Sequence, residues 1–359
     1  MKNVTRIILI CTLCIAILFV YYASVFIIGD SVIPHGSIAS GESPVVSSEV
    51  YNTHEGELAC LDGKLYYYFD CNDNLTKNGL FEISENASRI VNNSNKYDSY
   101  RNGMYCFQGN TVFADYVYRD DNMDTFPVSE GIINRVNPDS CSVELFSQLK
   151  SDDIDYYDDI IFAVDTLYAF AGNKIYASKD GKSIKPVFDK ADDILLDKDY
   201  GDRFYSISGG KLVYISGDKH IKEYDFKSRK YMLDKKLNKN LSDNNNRYKA
   251  FTTEGKVFLE VVGDLYNLYC VTDDFKLVYS DKDFWANACY CADNGFYLGS
   301  DRGIDYVSAD TLKTKHISSQ PVDDIYVFGD KWIYYKENED DTLFRISKDG
   351  KTTERVFGK

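Results

Sequence analysis

The apolar residues of this chain come in short continuous runs rather than in stripes. Trp332-Ile333-Tyr334-Tyr335, Leu212-Val213-Tyr214-Ile215 and Val257-Phe258-Leu259 are large and apolar at every position, and polar or charged residues bound them on both sides. A run of this kind, without a 3.6-residue period, predicts a strand buried on both faces. The stretch from Val322 to Val356 shows the whole pattern. Asp324–Phe328 turns through Gly329-Asp330 into Lys331–Lys336, an acidic loop leads to Thr342–Ser347, and Lys348-Asp349-Gly350 turns into Thr352–Phe357. Gly-Asp and Asp-Gly supply the positive-φ positions that tight hairpins require. Four strands in antiparallel succession, flanked by neighbours on both sides, make a propeller blade.

Units of this kind recur from about residue 58. The first spans Leu58–Asn95. The second starts near Tyr97 with Gly103–Phe107 and holds a long insertion, Ala114–Gly131, before Ile132–Val136. The third begins at Asp152-Asp153-Ile154, the fourth at Asp192-Asp193-Ile194, and the fifth contains Lys256–Val262. The sixth runs from Phe284 through Gly295–Leu298, and the seventh is the stretch described first. Asp-Asp-Ile thus marks residues 153, 193 and 324, at gaps of 40 and 131 residues, the latter close to three repeats of about 44. The expected fold is all-β: a seven-bladed β-propeller, or six-bladed if the second unit is divided differently, behind one N-terminal transmembrane helix.

The pattern Asp-Asp-Ile-x-Val-x-Gly-Asp-x-Trp-Ile-Tyr-Tyr, then Leu-x-Arg-Ile-x-x-Asp-Gly over Asp323–Gly350, resembles bacterial propeller domains of unknown function. Those domains are related to the YWTD β-propeller of low-density lipoprotein receptors. Leu58–Tyr68 with Gly79–Ile83 carries a weaker version, and the Tyr-Trp-Thr-Asp tetrad itself is absent. The resemblance implies a propeller in an extracytoplasmic setting and brings no catalytic residues with it.

The N-terminus changes the picture. Ile7–Ile28 is overwhelmingly apolar and uncharged, and as a helix it would rise about 33 Å, enough to cross a hydrocarbon core. Lys2 and Arg6 precede it and Asp30 follows, which orients the N-terminus to the cytoplasm. The run exceeds the h-region of a cleaved signal peptide. The domain plan is therefore a cytoplasmic tail at 1–6, a signal-anchor helix at 7–28, a Ser/Gly/Pro-rich tether at 29–50 and the propeller at 51–359, placed outside a single-pass cell membrane.

Charge then limits the partners. The formal charge is −15, and −17 without Lys2 and Arg6, which disfavours nucleic acid and anionic lipid. The remaining partner classes are protein, peptide and cell-wall glycan. The histidines, His35, His54, His220 and His316, are scattered, and no metal-ligand spacing, phosphate loop or nucleophile elbow is present, so neither a cofactor nor a metal is expected. Seven cysteines follow the apolar segment, mostly in strand-like runs, and read as packing residues. Cys60 and Cys71 form the one local pair across a hairpin.

Two sets of residues are candidates for ligand binding. Tyr116, Tyr118 and Phe126 lie in the Ala114–Gly131 insertion and offer rings for a sugar or a partner's pocket. Asp153, Asp193 and Asp324 enter the innermost strands and would converge at one mouth of a central channel. An aspartate there equally caps its own turn. The expected role is a non-catalytic binding module. An extracellular hydrolase or lyase acting on polysaccharide or peptide is the alternative, and no catalytic residue is assigned.

Overall fold

The computed structural model describes residues 58–61, 64–69, 79–83, 88–92, 105–118, 127–137, 142–151, 154–163, 166–196, 204–242, 246–263, 265–281, 286–337 and 340–357. These form seven four-stranded antiparallel sheets. The first comprises β1 (Leu58–Leu61), β2 (Lys64–Phe69), β3 (Gly79–Ile83) and β4 (Ser88–Asn92). The second has β5 (Tyr105–Phe107), β6 (Asn110–Tyr118), β7 (Pro127–Asn137) and β8 (Ser142–Gln148). The third has β9 (Asp159–Ala163), β10 (Thr166–Ala171), β11 (Lys174–Ser178) and β12 (Lys185–Phe188). The fourth has β13 (Tyr205–Ser208), β14 (Lys211–Ile215), β15 (His220–Asp225) and β16 (Lys230–Lys236).

In the fifth sheet are β17 (Arg247–Thr253), β18 (Lys256–Val262), β19 (Tyr266–Cys270) and β20 (Lys276–Asp281). The sixth holds β21 (Ala286–Ala292), β22 (Gly295–Ser300), β23 (Gly303–Ser308) and β24 (Thr314–Ser318). The seventh holds β25 (Asp324–Phe328), β26 (Trp332–Glu337), β27 (Asp340–Ser347) and β28 (Thr353–Phe357). Each sheet pairs its strands in chain order, a simple meander. Among the described residues the single helical segment is a one-turn 3₁₀ stretch, Ala191–Asp193.

Burial explains the continuous apolar runs. All six residues of β22 are buried, as are Trp332–Tyr335 of β26 and Leu212–Ile215 of β14. These second strands sit in mid-sheet with a neighbouring sheet against each face, so no position can be polar without loss. The outermost strands are the opposite: β16 and β20 hold no fully buried residue.

Consecutive sheets share apolar clusters. Phe107 and Ile133 meet Phe162 and Leu167 between the second and third sheets, and Tyr168 and Phe170 meet Ile207 and Leu212 between the third and fourth. Val213 and Ile215 join Ala250 and Leu259 across the next seam. Phe251 and Phe258 pack on Phe296, and Tyr297 on Ile325 and Tyr335. β1 lies against β5 and β6. Meanders stacked face to face in chain order are the construction of a β-propeller.

Every sheet carries the same irregularity. The pairing of its third and fourth strands shifts register once: after Leu80, Ile133, Ile175, Glu223, Leu268, Ile304 and Leu343. A bulge there increases the local twist and blunts the exposed edge against pairing with another chain.

Three expectations are corrected. Ala114–Gly131 is not an insertion loop: β6 and β7 run through most of it, pairing Tyr116 with Ser129, Val117 with Val128 and Tyr118 with Pro127. The innermost strand of the third sheet starts at Asp159, so Asp158-Asp159-Ile160 occupies the strand entry, six residues beyond the doublet chosen from sequence. The acidic stretch after β26 is shorter than expected, because β27 already begins at Asp340. Residues 1–57, with the expected anchor and tether, lie outside the described residues, and among those described no helix is long and apolar enough to cross a membrane. Cys71 also lies outside them, while Cys270, Cys289 and Cys291 are buried.

Candidate functional site

Antiparallel meanders put the second-to-third-strand turns and the crossings between sheets at one end of the stack. That end carries Asp193 and Asp324, two of the aspartates singled out from sequence, and the far ends of β6 and β7. At nine and eleven residues, β6 and β7 outrun the other strands. Phe126 and Asp153 lie outside the described residues. Tyr116 and Tyr118 fall on β6, at the far end of the hairpin beyond its Ala114–Tyr116 register shift.

Asp193 ends the 3₁₀ turn before the fourth sheet, and the following Ile194 bridges to Ser216. Its carboxylate accepts hydrogen bonds from Lys222 Nζ at 3.0 Å and the Tyr214 hydroxyl at 3.2 Å. Lys222 stands opposite both Tyr214 and Asp234 in the sheet, so all three share one face. Burial works against the Lys222 charge, yet Asp193, with Asp218 and Asp234 nearby, keeps its pKa above that of an ordinary lysine. Burial pushes the Tyr214 hydroxyl far above its usual range, and Tyr231 and Asp193 push it further.

The network continues through His220, whose Nδ1 is 2.6 Å from Asp234 Oδ1 and whose Nε2 is 3.9 Å from Asp218 Oδ2. In the other direction the Tyr205 hydroxyl donates to Asp159 and ties the fourth sheet to the third. Asp324, the first residue of β25, sits 3.9 Å from Lys336 Nζ. Asp193 and Asp324 therefore each face a lysine of their own sheet, and the chain itself supplies the counter-charge.

Two further polar groups occupy this end of the stack. Arg302, in the β22–β23 turn, pairs with Asp281 across the seam between the fifth and sixth sheets. On the outer part of the sixth sheet, His316 Nδ1 lies 2.9 Å from Asp305 Oδ1, and its Nε2 lies 2.9 Å from Ser319 Oγ. Asp158-Asp159 and Asp305–His316–Ser319 were not singled out from sequence. A second Asp-Asp-Ile at residues 158–160 was there to be read, whereas the Asp305–His316 contact depends on strand register. No group of three or more His, Cys, Asp or Glu arranged to hold a metal occurs among the described residues.

The opposite end is built for packing. Ser-Lys-Asp-Gly-Lys occurs twice, at 178–182 and 347–351, each time between the third and fourth strands. Asp180 accepts from the amides of Lys182 and Ser183 at 2.9 and 2.8 Å, and Asp349 accepts from Ser347 Oγ at 2.6 Å. Lys348 reaches back to Asp293 in the β21–β22 turn at 2.6 Å, and to the Gly329 carbonyl at 2.9 Å.

Comparison with solved structures finds the same fold. The extracellular domain of the hybrid two-component system BT4673 from B. thetaiotaomicron aligns at a TM-score of 0.52 and 12% identity, over 90% of this chain and 42% of that one. PorZ, a surface component of the type-IX secretion system of Porphyromonas gingivalis, aligns at 0.50 and 11% identity, over 86% of this chain and 39% of that one. The chain is a β-propeller. No protein-family profile matches it, and no curated protein matches it in sequence. At these identities the likeness concerns fold alone.

Proposed function

We propose that this β-propeller is a closed seven-bladed ring, held outside a cell membrane by the helix at 7–28 and the tether at 29–50, that binds a protein, peptide or cell-wall glycan. The observation that carries the reading is the β6–β7 hairpin, the longest in the described structure. Tyr116 and Tyr118 fall on its outer half, toward the end with the sheet crossings, which supports a role for them in recognition. Aromatic side chains have few rotatable bonds and lose little conformational freedom on binding, which favours them as anchors.

Asp193 and Asp324 lie at the strand entries of the fourth and seventh sheets, and with Asp153 they are the acidic part of the proposed site. Because Asp193 and Asp324 have lysine partners, they orient basic groups of a ligand less strongly than the rings hold its apolar ones. The acidic excess, the apolar segment behind Lys2 and Arg6, and the sequence resemblance to YWTD-type propellers all favour an extracytoplasmic location. BT4673 and PorZ are extracellular or surface proteins by description, in keeping with that placement.

The test uses the detergent-solubilised full chain, titrated with peptide and cell-wall glycan libraries and read by thermal shift. Expected is a ligand whose shift disappears in Tyr116→Ala/Tyr118→Ala while the unliganded melting temperature stays put. A ligand that binds this double variant as well as it binds the native chain would refute the site. Protease treatment of intact cells that leaves residues 51–359 untouched would refute the orientation.

A further inference from the structure

We propose that Ser319 is an activated nucleophile, with His316 as its general base and Asp305 as the positioning residue, able to accept the acyl group of an activated carboxylic ester. This goes beyond ligand binding and does not depend on it.

The geometry has each atom in its role. A carboxylate only accepts, so the Asp305–His316 contact at 2.9 Å places the imidazole proton on Nδ1. Nε2 is then the acceptor, and the Ser319 hydroxyl donates to it at 2.9 Å. That relay of carboxylate, imidazole and hydroxyl is recognised by its geometry, whatever the order of its members in the chain. Ser319 is exposed, the His316 side chain is 55% exposed, and Asp305 is only 15% exposed. The nucleophile is thus open to solvent while the carboxylate behind it is shielded.

The repeat supplies an independent argument. The residue that follows the register shift in the third strand is aromatic in five sheets: Phe81, Tyr176, Tyr224, Tyr269 and Phe344. Asn134 takes that place in the second sheet and Asp305 in the sixth. Where most sheets have a ring that can bury apolar surface, the sixth has a carboxylate. The same register shift pairs Asp305 with His316 and leaves Ser319 one residue past the end of β24. A bulge common to all sheets aims side chains here that no other sheet has.

In the step, Ser319 Oγ attacks the ester carbonyl carbon as its proton passes to Nε2. The C–O bond to the leaving alcohol then breaks, and Nε2 returns the proton to that oxygen. Water, deprotonated by the same nitrogen, later releases the carboxylic acid and restores Oγ–H.

The substrate class follows from what is missing beside the nucleophile. The amide after it, Gln320 N–H, is taken up by Ser318 Oγ at 3.1 Å and cannot hold the developing oxyanion. Losing one such donor costs on the order of 10²–10³ in rate. The reaction is therefore confined to esters with good leaving groups, such as aryl esters, and excludes peptide bonds.

The test incubates the full chain with a fluorophosphonate probe and with p-nitrophenyl acetate. Expected are labelling that maps to the peptide bearing Ser319 and a burst of about one equivalent of p-nitrophenol, both lost in Ser319→Ala and His316→Gln at unchanged melting temperature. Asp305→Asn favours the wrong imidazole tautomer, so it lowers the burst rate at least about tenfold and displaces its pH profile. Asp305 is the charged partner of His316, and Tyr279, Asp281 and Arg302 form the adjoining seam. A bystander role for Asp305 would leave that profile in place. Absence of label, label on another residue, or labelling of His316→Gln at the native rate each overturns the proposal.

Discussion

Replacing Glu260 with Gln tests how the seam between the fifth and sixth sheets treats charge. Glu260 sits in mid-strand on β18, opposite Lys249 and Leu268, and is 1% exposed. One of its oxygens, Oε1, has no hydrogen-bond partner. Burial raises its pKa; Lys249 and the Tyr266 hydroxyl oppose that rise without cancelling it. The sign follows from linkage. In the unfolded chain the carboxyl ionises near the ordinary glutamate value of about 4.3, and in the folded chain it ionises higher. Stability is therefore complete below the unfolded value and is lost as pH rises through the folded one, by up to about 1.4 kcal/mol for each pH unit between them.

An unsatisfied buried polar group costs roughly 1–3 kcal/mol, so the wild-type chain should lose about that much relative to Glu260→Gln between pH 4 and pH 8. Urea unfolding of both proteins across that range measures it, with the midpoint of Glu260→Gln the flatter of the two. A wild-type midpoint that holds level with that of the variant, or rises above it as the pH climbs, would refute the reasoning.

Other expectations concern the seams and turns. Phe258 is fully buried between Phe251 at 5.3 Å and Phe296 at 5.0 Å, so Phe258→Ala should cost about 3–5 kcal/mol in urea unfolding. Lys348→Ala removes the tie from the seventh sheet to Asp293 in the sixth, and a double-mutant cycle with Asp293→Ala should return a coupling of roughly 0.5–3 kcal/mol. Asp180 is held well below the usual carboxylate range by the amides of Lys182 and Ser183, and Asp349 by the Ser347 hydroxyl and Lys351. Their contribution is present above the unfolded aspartate value and disappears as pH falls, so Asp180→Asn/Asp349→Asn should flatten the acid limb of a thermal melt monitored from pH 5 to pH 2.

The sequence revealed the strands that have a neighbour on each face and hid those that have one. β14, β18, β22 and β26 announce themselves because burial on both sides strongly favours apolar or aromatic residues, with Glu260 the costly exception on β18. β16 reads as a polar tail, since an exposed edge imposes no alternation. β6 and β7 read as an insertion because Asp115 and a cluster of acids at 120, 121 and 124 break the apolar pattern, although the backbone ladder continues through Val117 and Val128. Ser-Asp-Asp-Ile-Asp-Tyr-Tyr-Asp-Asp-Ile offers two identical strand entries within ten residues. What selects the second is a bridge between Tyr157 and Ser129 of the previous sheet, a contact no local pattern can contain.

Chemistry was harder to read than fold for the same reason. Asp193 reads from sequence as a ligand-binding or turn-capping carboxylate, and its partner Lys222 lies 29 residues on. Asp305, 11 residues before His316, looked like one acid among many until the register of β23 against β24 set the two opposite each other. A repeat fold multiplies near-identical positions, so a residue there gains meaning only against its counterparts in the other sheets. Once the seven register shifts are aligned, a carboxylate in a place that mostly holds aromatic rings stands out. That alignment can now be made from sequence alone in related propellers, by asking which unit breaks its own pattern after the third-strand bulge and whether a histidine follows about eleven residues later.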